Sequence, residues 1–103
     1  MTYKLIVTDT AHSDLDDALD YIANRLANPT AAADMLTQVE ECYQHLCMHP
    51  FMYEACHDPR LRGLGYHRAV IGNYILVFRP DEAARAVYIL RYFYGARDYE
   101  KLL

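Results

Sequence analysis

The sequence predicts an α+β domain of order β-α-α-β-β-β, with a helical hairpin packed on a small, mostly antiparallel sheet. Three observations predict it. A short β-branched and aromatic run stands near the start. Two long stretches repeat apolar residues every three or four positions. Three strand-like runs, separated by turn residues, fill the C-terminal half. A chain of 103 residues, 53% of them hydrophobic, fits a single domain over 1–103 and excludes a disordered one.

Tyr3-Lys4-Leu5-Ile6-Val7 reads as the first strand. Thr10 or Ser13 then caps a helix, with Asp14, Asp16 and Asp17 suiting its positive N-terminal end. Ala11, Leu15, Ala18, Leu19, Ile22 and Leu26 form its apolar face. Asn28-Pro29 opens the second helix, Asn28 as the cap and Pro29 at the first helical position. Its stripe is Ala32, Met35, Leu36, Val39, Tyr43 and Leu46, ending before Pro50. The short connection makes the two helices antiparallel neighbours. Residues 50–64 read as a loop.

Three runs follow: Tyr66–Ile71 up to the Gly72-Asn73 turn, Tyr74–Phe78 up to Pro80-Asp81, and Ala86–Tyr94 up to Gly95. This turn chemistry favours an antiparallel meander. In the last run, alternation puts Val87, Ile89, Arg91 and Phe93 on one face and Tyr88, Leu90, Tyr92 and Tyr94 on the other. Both faces are largely apolar, so this is an interior strand. Helices cover one face of the sheet; the other, partly open, carries tyrosine and arginine.

Charge is uneven. Residues 1–59 hold two cations against ten carboxylates, a balance of −8, and residues 60–103 hold eight against four, a balance of +4. A basic face of this kind binds phosphate or an acidic protein. Cys42, Cys47 and Cys56 form no disulfide framework and are expected to be reduced. No run reads as a signal peptide or spans a bilayer, so the expected compartment is the cytoplasm, with no membrane partner. Cys42, His45 and His49 share a helix face, but their spacing matches no zinc motif, so no metal and no cofactor is expected. Ser13 is the only serine, and no nucleophile elbow or phosphate-cradling glycine loop is present, which excludes a serine hydrolase.

Several segments, in order and at matching spacing, resemble the RelE/ParE toxin superfamily of type II toxin–antitoxin systems. They are Asp14-Leu15, Asn28-Pro29 with Ala31-Ala32, Leu61 to Arg68, Asn73 to Arg79, and Ile89 to Asp98 with its Gly95-Ala96-Arg97-Asp98 tail. The resemblance implies a growth-inhibiting toxin, a plasmid-stabilisation protein, held inactive by a ParD- or RelB-like antitoxin that alone contacts operator DNA. It also implies one of two activities: ParE-like inhibition of DNA gyrase, or RelE-like cutting of mRNA on the ribosome. An inactive relative serving as a binding module is a third possibility.

For the nuclease, the resemblance implies catalytic residues among His67, Arg68, Arg97 and Tyr94, since phosphoryl chemistry needs placed cations and a proton donor. Ile75 stands where such nucleases carry an arginine, and an isoleucine stabilises no phosphorane charge. The plain alternative is that His67 and Arg68 are polar groups on an exposed strand, with Arg97 paired to Asp98 or Glu100. Tyr74-Ile75-Leu76-Val77-Phe78-Arg79 and the Gly-Ala-Arg-Asp tail resemble the ParE branch more closely, so gyrase is the expected target. Arg68, Arg91, Tyr92 and Arg97 are the expected contacts to antitoxin or target.

Overall fold

A computed structural model describes residues 2–95 and 99–103. Strand β1 (Lys4–Val7) leads into α1 (Asp9–Asp20), which runs on as a π-turn over Tyr21–Arg25. Helix α2 (Pro29–Met48) and a 3-10 turn (Pro50–Met52) follow. Next come α3 (Pro59–Gly63), β2 (His67–Ile71), β3 (Tyr74–Asp81), β4 (Ala86–Tyr94) and α4 (Tyr99–Leu102). The strands lie in the order β1-β4-β3-β2. β1 is parallel to β4 and the other pairs are antiparallel. The two helices carry the chain from one side of the sheet back to the other, which is what a parallel pairing requires.

Local chemistry explains most boundaries. Asn28 caps α2, its side-chain oxygen accepting from the Ala31 amide at 3.0 Å, with Pro29 at the first turn as expected. α1 starts earlier than Thr10 or Ser13 would allow. Thr8 is the cap, its hydroxyl accepting from the Ala11 amide at 3.1 Å. Asp14, Asp16 and Asp17 therefore stand in the body of the helix, not at its N-terminal end. Leu26 and Leu36 are exposed, and Cys42 joins the buried stripe of α2. The expected loop over 50–64 contains α3, capped by Asp58 and begun by Pro59. β3 continues to Asp81, because Pro80 pairs opposite Val87 and the turn falls later.

The alternation expected for β4 fails at one point. Val77 pairs with Arg91 but Phe78 pairs with Ile89, so Leu90 is an extra residue in the strand. Such a bulge reverses which residues face which side. Val87, Ile89 and Tyr92 consequently share the helix side, while Leu90 and Phe93 join the other.

The main core lies between the helices and the sheet, built on Val39, Leu46, Leu76, Phe78, Val87 and Ile89. A smaller core of Cys56, Leu61, Ile75, Val77, Phe93 and Tyr99 lies on the opposite face, closed by α3 and α4. Arg60 ties these two short helices together, donating to the Glu100 carbonyl at 2.9 Å and the Leu103 carbonyl at 3.4 Å. Gly95 follows β4 where its amide donates to the Asn73 carbonyl at 2.5 Å. A Cβ there would lie 2.8 Å from that same oxygen, so only glycine allows the strand end to meet the β2–β3 turn this closely.

Candidate functional site

The end of β4 is shaped by the shortness of β1. Their pairing stops at Val7 opposite Ile89, leaving the β4 edge without a strand partner beyond that point. α1 supplies the missing partners. The Thr8 amide donates to the Ile89 carbonyl at 3.1 Å, and the Thr8 hydroxyl donates to the Leu90 carbonyl at 3.2 Å. The Asp14 carboxylate accepts from the Tyr92 amide at 3.0 Å and from Arg91 Nε at 2.7 Å. Arg91 also lies over the Phe93 ring, 4.8 Å from its centre. Arg91 is thus engaged by its own chain, and a partner reaching for it competes with Asp14.

Tyr92 is 4% exposed and its hydroxyl hydrogen-bonds that of Tyr43 inside the main core. Burial, then the Tyr43 hydrogen bond, pushes its ionisation far above the ordinary tyrosine value. It is a packing residue with no surface to offer a partner. Tyr94 is 53% exposed and meets the Tyr74 ring edge to face at 5.4 Å.

His67 and Arg68 are consecutive on β2, so their side chains leave opposite faces of the sheet. His67 turns to the helix side. It stacks on Phe78 at 5.7 Å and donates through Nδ1 to the Tyr53 carbonyl at 2.9 Å. Arg68 turns to the smaller core. Its guanidinium lies 5.7 Å from the centre of the Tyr99 ring, and its Nε is 3.7 Å from a Glu54 carboxylate oxygen. Arg68 Nε and the Tyr99 hydroxyl are both sealed from solvent; Nε has only the distant Glu54 carboxylate and the hydroxyl only the weakly bonding Cys56 thiol. Burial raises the neighbouring Cys56 thiol above its usual value, with Tyr99 and the Arg68 charge pulling it part of the way back. Burial pushes Tyr99 up to about 12.

Of the four residues expected for catalysis, the three that are described do not converge. Arg68 sits on one face; His67 and Tyr94 sit with the main core on the other. Arg97 lies outside the described residues. Ile75, in the nuclease arginine's place, is buried in the smaller core beside Val77 and Phe93. Sequence reasoning missed Asp14 and Tyr99 as groups that organise these surfaces. Asp14 acts on residues 77 and 78 positions away, a distance no local pattern reports. Tyr99 was readable only as one of several C-terminal tyrosines.

Among the described residues, no three His, Cys, Asp or Glu side chains gather in a way that holds a metal. The three thiols are free. No helix among these residues is long and apolar enough to cross a membrane.

Residues 5–99 match the family described as ParE toxin of type II toxin–antitoxin system, parDE. The fold is similar to a chain of the RelBE2 toxin–antitoxin complex from Mycobacterium tuberculosis. That likeness has a TM-score of 0.64 and 24% identity, covering 91% of this chain and 99% of the other. It is also similar to a chain of the chromosomal ParDE system from P. aeruginosa, with a TM-score of 0.69 and 20% identity, covering 90% and 96%. No curated protein sequence matches the chain.

Proposed function

This chain belongs to the ParE toxin family of type II toxin–antitoxin systems, and from that premise we propose that it arrests bacterial growth by inhibiting DNA gyrase while a cognate antitoxin holds it in check. The observation that carries this reading over mRNA cleavage is the burial of Ile75. The position that a RelE-like nuclease gives to an arginine is here part of an apolar core. A charge placed there would have to be buried without a partner, which is strongly destabilising. The split of His67 and Arg68 across the sheet supports the same reading, because phosphoryl chemistry needs its cations on one side of the scissile phosphate.

The antitoxin is the partner expected in the cytoplasm. Arg68 is the contact we favour among those named from the sequence; Arg97 belongs to the same basic half of the sequence. The Arg68 side chain is 23% exposed and Glu54 approaches it only to 3.7 Å, so an antitoxin carboxylate laid on this face can add a shorter ion pair at its guanidinium. Arg91 contributes only if Asp14 releases it. The test is supercoiling by purified gyrase: the free protein blocks it and the addition of antitoxin restores it. Supercoiling that proceeds unchanged at a large excess of folded protein overturns the reading.

A further inference from the structure

We propose that the hollow between α1 and the end of β4 accepts an arginine side chain from a basic segment of a partner protein, its guanidinium held among Tyr21, Tyr74 and Tyr94 and against Asp17. The hollow measures about 490 Å³, and its lining includes these four residues together with Asp14 and Arg91. The Tyr74 and Tyr94 rings meet at 5.4 Å, and the Tyr21 and Tyr94 hydroxyls are both near enough to add to the rise that burial imposes on Tyr74. Three phenol rings therefore share one concave surface.

Charge decides what such a surface takes. The one cation in the described lining, Arg91, is neutralised by Asp14 at 2.7 Å. Asp17 is exposed and pairs with none of the described cations. The described lining keeps a net negative charge beside aromatic faces, whose quadrupoles also attract cations. Arginine fits better than lysine. Its planar guanidinium stacks on a ring and forks onto a carboxylate, while an ammonium is a strongly hydrated point charge.

The neighbourhood suits a segment rather than a free small molecule. A second hollow of about 290 Å³ shares Tyr74 as a wall and carries Asp34 and Gln38, so a chain crossing Tyr74 meets a carboxylate on each side. The π-turn begins at Tyr21, and Ala27, just after it, adopts the left-handed conformation at φ 49°. Both features cost free energy and gather where a surface is shaped for contact. The inference deepens the reading of this toxin as a protein that works by binding proteins. It does not depend on gyrase being the target, so the peptide experiment and the supercoiling assay fail separately.

The experiment titrates the full chain with acetyl-(Arg-Ala)4-amide and with analogues in which lysine or neutral citrulline replaces arginine. The readouts are calorimetry and the NMR signals of the tyrosine rings. The arginine peptide is expected to move Tyr21, Tyr74 and Tyr94 and to bind more tightly than the lysine peptide, with citrulline weakest. Replacing both Asp17→Asn and Tyr94→Ala, at exposed positions that leave the core intact, is expected to weaken binding about tenfold. Glu40→Gln removes one carboxylate elsewhere on the exposed surface and is expected to change little. Equal binding of the citrulline peptide, unmoved tyrosine signals, or equal losses in Glu40→Gln and the double variant would overturn the assignment.

Discussion

The two faces of the sheet are built from the same strands, yet they close differently. On the helix side, Phe78, Leu76, Val87 and Ile89 meet α1 and α2, and even the Tyr43 and Tyr92 hydroxyls satisfy each other. On the opposite side, two short helices cover a smaller core and leave Arg68 Nε and the Tyr99 hydroxyl buried with only weak partners, Glu54 at 3.7 Å and the Cys56 thiol. Polar groups in protein interiors are normally well paired, so weakly paired ones mark the less completely satisfied face. The contrast teaches that the helix face holds the fold, while the opposite face is closed less completely around its polar groups.

The strongest way to break this comparison is to cut into the helix face. Phe78→Ala deletes a fully buried ring and is expected to cost about 3–5 kcal/mol in denaturant unfolding. A loss below about 1 kcal/mol would mean that the main core does not carry the fold. Next in size is the β4 edge. Asp14→Ala removes charge-assisted bonds to Tyr92 and Arg91 and is expected to cost about 2–3 kcal/mol. A double-mutant cycle with Arg91→Ala checks it, and additive losses would deny the coupling.

The smallest effects discriminate the faces most finely. Tyr92→Phe breaks a satisfied pair and should cost about 1 kcal/mol, whereas Tyr99→Phe removes a hydroxyl held only by the weakly bonding Cys56 thiol and should cost less. Alkaline pH adds a second readout. Tyr53 and Tyr99 are both pushed from 10 up to about 12 in the fold, chiefly by burial. Their protonated forms stabilise fully below pH 10, and that contribution fades between 10 and 12, because the unfolded chain releases its protons first. Tyr99→Phe should flatten the fall in stability across that window; an unchanged slope would mean that Tyr99 titrates as it does in water.

Much of this was legible in the sequence because it is local. Asn28-Pro29 starts α2, Gly72-Asn73 turns β2 into β3, and helical periodicity marks the hairpin. Asp58-Pro59 signalled α3 as plainly, but so short a helix leaves no periodic stripe. The bulge at Leu90 was hidden, since it follows from how β4 pairs with β3 and appears in no composition or spacing. The same holds for the site. That Ile75 replaces an arginine could be read from the resemblance. That His67 and Arg68 part company needed only strand alternation. That Tyr92 is sealed and Arg91 already paired depends on that bulge and on Asp14, far away along the chain.

The central proposal is that this toxin works by binding a protein and does not cleave RNA. The most direct test programmes bacterial ribosomes with mRNA in the A site, adds the purified chain free of antitoxin, and maps the message ends. Intact message is expected at concentrations that block gyrase. Cleavage at A-site codons, lost on Arg68→Ala, would contradict it.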